Sequence, residues 1–71
     1  MQPPPTADRR AVIGEKLRTE RLRQDKSQAD VAAAIGTGQK VVSRAENGHT
    51  TVDTQLRIAE HLGLRLDLVA N

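Results

Sequence analysis

Gln39, Lys40, Ser43, Arg44 and Asn47 recur at i, i+1, i+4, i+5 and i+8. On a helix of 3.6 residues per turn that spacing gathers them on one face. Their chemistry suits nucleic acid. A glutamine amide pairs bidentately with adenine N6 and N7, and lysine or arginine can reach guanine O6 and N7. The same side chains also bond phosphate oxygens, so Lys40 and Arg44 are open to either contact. Val41, between them, either touches a thymine methyl or is partly buried.

Such a face needs a scaffold, and the stretch 27–48, SQADVAAAIGTGQKVVSRAENG, supplies the pattern for one. It reads as two short helices joined at Gly36, with Val31, Ala32, Ile35, Val42 and Ala45 facing inward. Ser27 is the expected N-cap of the first, and Asp30 three residues on makes a shortened capping box. Lys26 precedes the cap and cannot make a hydrophobic staple with Val31. The alanines supply helix propensity, and Gly36 ends the helix because a left-handed cap is least costly for glycine. The reading helix spans roughly 38–47, and Asn47-Gly48 stops it.

Upstream, MQPPP reads as an extended tail. A helix is expected from Thr6, as N-cap, to about Gln24, with Asp8 in its first turn and Val12, Ile13, Leu17 and Leu22 inward. Gly14 inside it costs about 1 kcal/mol relative to alanine. Downstream, Thr51 caps a fourth helix carrying Val52, Leu56, Ala59 and Leu62 on one face, with Ile58 at the edge and Gly63 closing it. The expected division is a tail over 1–6, a DNA-binding domain over 7–63 and a terminal segment over 64–71.

Seventy-one residues allow one small domain. With no cysteine and no Phe, Tyr or Trp, its core must be aliphatic, and neither disulfides nor thiolate metal sites can support it. The formal charge is +2 and the pI about 9.7. Residues 9–26 concentrate Arg9, Arg10, Lys16, Arg18, Arg21, Arg23 and Lys26 against Glu15, Glu20 and Asp25. That pattern fits a solvated helix with pairs such as Lys16–Glu20, and equally the electrostatic footprint of a phosphate binder. His49 and His61 lack the partners a metal site needs, and no nucleophile–base pair or phosphate loop stands out. No cofactor and no catalysis are expected. No apolar run approaches the roughly 20 residues of a membrane span, and no signal-peptide pattern opens the chain, so a cytoplasmic protein is expected.

Several elements together resemble the Cro/repressor-type (XRE-like) helix-turn-helix family. They are Ser27-Gln28, Val31-Ala32, Ile35-Gly36, Val42-Ser43 and Glu46-Asn47-Gly48, continued by Ile58-Ala59 and Leu62-Gly63-Leu64. The resemblance covers about residues 13–64. It implies an all-α, lambda-repressor-like bundle of four helices that binds double-stranded DNA as a transcriptional repressor. It also implies that Gln28 contacts phosphate and braces Gln39, the leading base reader. Lys40, Ser43 and Arg44 would share the base-contacting face, with Asn47 near phosphate; His49, read from its own position, is expected as a loop residue near phosphate. Arg21 and Glu46 would form a structural ion pair tying the first helix to the end of the reading helix. The chain departs from the pattern at Lys26 and Gln55, which are polar where apolar residues are usual, and at Thr50, where proline is common.

The last segment alternates Leu64-Arg65-Leu66-Asp67-Leu68, a period-two strand signal. A lone strand leaves its backbone groups unpaired. The obvious partner is the same segment of a second copy, with Leu64, Leu66 and Leu68 lying on the helices of a homodimer bound to a palindromic operator. A strand here resembles HipB-type antitoxins, which repress their own operon and hold a HipA-like kinase toxin. The alternatives are a truncated fifth helix from Asp67, and a phage-type or general regulator without a toxin partner.

Overall fold

A computed structural model describes residues 5–65, with side chains from residue 9 onward. It contains four helices: α1 (Pro5–Arg23), α2 (Gln28–Ile35), α3 (Gln39–Glu46) and α4 (Val52–Leu62). The N-terminal part of the tail and the period-two segment beyond Arg65, with Leu66 and Leu68, lie outside the described residues. No strand occurs among the described residues.

Local signals account for where α2 and α4 begin and end. The Ser27 Oγ accepts the Asp30 N–H at 2.9 Å, and the Asp30 Oδ2 accepts the Ser27 N–H at 3.0 Å, closing the capping box. At the other end Gly36 is left-handed, φ 74°, and the next N–H, from Thr37, bonds back to the Ala32 carbonyl at 2.9 Å. A side chain with a Cβ would strain that turn, which sets the course of the chain into α3. Thr51 caps α4 by accepting the Thr54 N–H at 3.2 Å. The start of α1 differs from expectation: the helix begins at Pro5, so Thr6 lies inside it. Proline suits a first helical position, where its missing N–H has no partner to lose.

The core is aliphatic: Ile13, Leu17, Val31, Ala32, Val42, Ala45, Ile58, Ala59 and Leu62 are buried, with Ile35 and Leu64 packed against them. In this core α1 lies against α3 and α4, and α2 against α3 and α4. Two helices are rotated from the expected facing. Val12 and Leu22 were expected inward but are 53% and 55% exposed. The inner line of α1 is Ile13, Leu17 and Arg21, an i, i+4, i+8 series that leaves Val12 and Leu22 on its flanks. On α4 the buried line is Gln55, Ile58, Ala59 and Leu62, so Ile58 is central and Leu56, expected on the buried face, is 36% exposed.

Gln55 resolves what looked like a packing fault. Fully buried, it donates from Nε2 to the Arg10 carbonyl at 2.8 Å and to the Ala45 carbonyl at 3.0 Å. One side chain of α4 thus cross-links α1 and α3. Its Oε1 is buried without a partner, a cost that the two donated bonds offset.

Gly14 also changes meaning. A Cβ on it would lie 2.6 Å from the Ala45 carbonyl oxygen and 2.5 Å from that of Glu46. The glycine exists because α1 crosses the end of α3 backbone to backbone.

The capping box makes α2 acid-sensitive. The Ser27 backbone N–H, and then its side chain, hold the Asp30 carboxyl below its ordinary value. A carboxylate lowered on folding stabilises the fold above its ordinary range and loses that contribution as pH falls through its folded value. Melting temperature should therefore fall on acidification, and Asp30→Asn should make the fall shallower. Ser27→Ala should cost about 1 kcal/mol at neutral pH. An acid profile for Asp30→Asn that coincides with wild type would show that the box contributes nothing to the pH dependence.

Candidate nucleic-acid interface

The helix α3 is sharply two-sided. Val42, Ala45 and Glu46 are buried, while Gln39, Lys40 and Arg44 are exposed and Ser43 is half-buried. Val41 is half-buried, at the margin between the two faces. Four side chains able to meet base edges or phosphates thus lie on one accessible stripe.

Gln28 begins α2 beside this stripe, half-buried. Its Oε1 accepts from Gln39 Nε2 at 3.3 Å, so the two glutamines are joined across the turn. Its own Nε2 donates to Glu46 Oε1 at 3.1 Å. No pattern in the sequence signals this second bond, since its partners are 18 residues apart and come from different helices.

Beneath the glutamines lies a buried pair. Arg21 Nε donates to Glu46 Oε2 at 2.5 Å and Nη2 to Oε1 at 3.1 Å, a two-pronged contact with both side chains at least 90% buried. A further Arg21 bond, Nη1 to the Lys26 carbonyl at 2.8 Å, closes the loop between α1 and α2. In this loop Asp25 adopts a left-handed φ of 58°. Arg21 therefore connects α1, the entry to α2 and the end of α3.

At the C-terminal end of α3, Asn47 donates from Nδ2 to the Ser43 carbonyl at 3.0 Å. That bond uses one of its two amide hydrogens and leaves the other available on an exposed side chain. His49 is exposed, and its backbone N–H bonds to the Arg44 carbonyl at 2.8 Å. Gly48, between them, has a left-handed φ of 76°, and a Cβ on it would lie 3.0 Å from the Ala11 backbone.

The basic stretch of α1 is less uniform than its composition suggests. Arg21 is buried, and Arg10 reaches the Thr50 carbonyl at 3.4 Å. Glu20 is engaged by Arg23 and Gln24 rather than by Lys16. The Arg23 guanidinium, followed by the Gln24 amide, holds the Glu20 carboxyl down from 4.5 to about 2. Arg9, Lys16 and Arg18 are exposed on α1.

Helices α2 and α3, joined by a glycine turn and presenting a polar stripe on the second, are a helix-turn-helix. The family comparison agrees, with the helix-turn-helix family matching residues 17–69. The chain belongs to that family. Within it the resemblance is to the XRE type, a DNA-binding transcription regulator. No curated protein is a significant match. In helix-turn-helix proteins the second helix of the motif is the one that enters the groove, and α3 holds that position in this chain. Among the described residues no helix is long and apolar enough to cross a membrane.

Proposed function

We propose that this helix-turn-helix protein is a sequence-specific repressor that reads DNA through Gln39, Lys40, Ser43 and Arg44. Gln28, Asn47 and His49 hold the phosphate backbone beside them. The observation that carries the reading is the two-sidedness of α3, whose accessible stripe is polar while its other face is locked into the core. On the stripe itself, exposed Lys40 and Arg44 supply the positive charge that phosphate attracts.

Gln39→Ala should cost about 1–3 kcal/mol on a duplex selected by the protein from a random library, with little change on random DNA. Equal losses on both would make Gln39 a phosphate contact instead. In the same titrations log affinity should fall with log salt by about 0.9 per phosphate neutralised. An affinity indifferent to salt would remove the DNA-binding role.

We further propose that the repressor works as a homodimer joined through residues 64–69. Leu64 already packs against the core, and the alternation of leucine with charge continues past it. Twofold symmetry would place the two reading helices about 34 Å apart, one turn of DNA, and make the operator a palindrome. Leu66→Glu should shift sedimentation at micromolar concentration toward monomer and weaken operator binding more than random binding. A wild-type monomer, or a dimer that survives truncation after Gly63, would rule out the ribbon. The same terminal pattern supports an antitoxin reading, in which the dimer also holds a HipA-like kinase. Co-purification with the product of an adjacent kinase-like gene tests it, and a footprint upstream of its own gene tests autorepression.

A further inference from the structure

We propose that Glu46, a buried residue that does not reach the DNA-facing stripe, fixes which way round the Gln39 amide faces its base. This rests on the reading of Gln39 as a base contact, and it adds a specificity-determining residue beneath the recognition surface.

Donors and acceptors alone fix the order of the amides. A carboxylate accepts hydrogen bonds and has none to donate, whereas a glutamine amide has a donating end and an accepting end. Glu46 Oε1 already faces Arg21 Nη2 at 3.1 Å, and Gln28 approaches it at the same distance. Gln28 must therefore present its NH2 end to Glu46, which turns its oxygen toward Gln39. Gln39 must in turn present its NH2 end to Gln28, and it does so at 3.3 Å. Reversing either amide would set two oxygens, or two NH2 groups, against each other. Arg21 holds the carboxylate at the head of the series in place through two bonds of its own.

The consequence lies in what Gln39 has left to offer. One amide hydrogen is committed to Gln28, so the groove meets the other hydrogen and the oxygen beside it in a fixed order. Adenine matches that order, its N6 hydrogen meeting the oxygen and its N7 meeting the hydrogen. Guanine carries the O6 acceptor where adenine carries the N6 donor, so a locked amide sets oxygen against oxygen. An amide free to turn could offer its NH2 end to O6. The order imposed by Glu46 is thus a device for preferring adenine over guanine.

The test replaces the ion pair while leaving both glutamines in place. Arg21→Met combined with Glu46→Met exchanges the pair for apolar side chains, a replacement that buried pairs often tolerate. Wild type should favour A·T over G·C at the Gln39 position by about 5- to 150-fold, the range of a bidentate contact. In the double variant that ratio should fall clearly below the wild-type value, because the amide can then turn its NH2 end toward O6. A folded double variant that keeps the wild-type ratio would overturn the proposal.

A measurement on the unaltered free protein stands independently of folding and of DNA. Nuclear Overhauser contacts should run from the Gln28 amide hydrogens to the Glu46 side chain and from the Gln39 amide hydrogens to Gln28. Contacts in the reverse order would overturn the proposal even if the variant fails to fold. Equal losses for Gln39→Ala on selected and random DNA would instead overturn the base-reading role, and with it the effect on specificity. The amide order in the free protein is read separately, so the two failures can be told apart.

Discussion

Gly14→Ala should destabilise the domain by about 2 kcal/mol or more, although helix propensity alone predicts a gain of about 1. The added methyl would enter a space bounded by the Ala45 and Glu46 carbonyl oxygens at 2.6 and 2.5 Å and the Glu46 carbonyl carbon at 2.8 Å. These are backbone atoms, so no side chain can rotate aside to make room. Relief requires α1 to separate from the end of α3. That separation would disturb Gln55, whose amide bridges the Arg10 and Ala45 carbonyls at the same crossing. Domains of this size have little stability in reserve, and a loss of that order lowers the melting temperature by roughly 10 °C or more. Thermal unfolding of the variant decides the matter. Melting at or above the wild-type temperature would show that the helices do not approach so closely.

The contrast between propensity and packing at Gly14 explains which parts of the molecule were legible in the sequence. Helix ends signalled by local chemistry could be read: Ser27 with Asp30, Gly36, Thr51 and Gly63 act within a turn of their own positions. The glycine turn and the polar stripe of α3 were legible for the same reason. Rotations about helix axes were not. Adjacent residues differ by about 100° on a helix, so choosing Val12 as well as Ile13, or Leu56 in place of Gln55, changes the face without disturbing the apolar pattern. Buried polar residues mislead such a pattern, which counts them as solvent-facing. The buried pairing of Arg21 with Glu46 was legible through the family resemblance, which the structure matches. Gln55 holds an inner position because its partners come from other helices. The link from Gln28 to Glu46 is invisible for that reason too, and with it the feature of the site that controls amide order.

The buried pair should show the other large effect, and its sign depends on how it is removed. Glu46→Ala leaves the Arg21 guanidinium inside the protein with only the Lys26 carbonyl as partner, at 2.8 Å. Arg21→Ala leaves the Glu46 carboxylate with Gln28 as its remaining donor. Stranding one charge of a buried pair costs about 3–5 kcal/mol, enough to leave a domain this small largely unfolded at room temperature. Removing both charges has no such penalty, because neither group must then be desolvated alone. Arg21→Met with Glu46→Met should therefore be far more stable than either single alanine variant, despite carrying more changes. Denaturant unfolding of a complete cycle, with both single methionine variants, measures the coupling directly. Additive losses would mean that Arg21 and Glu46 act separately. Strong coupling would show that α1 and the end of α3 are held in register by this contact, at the point where the reading helix must be fixed before its stripe can meet DNA.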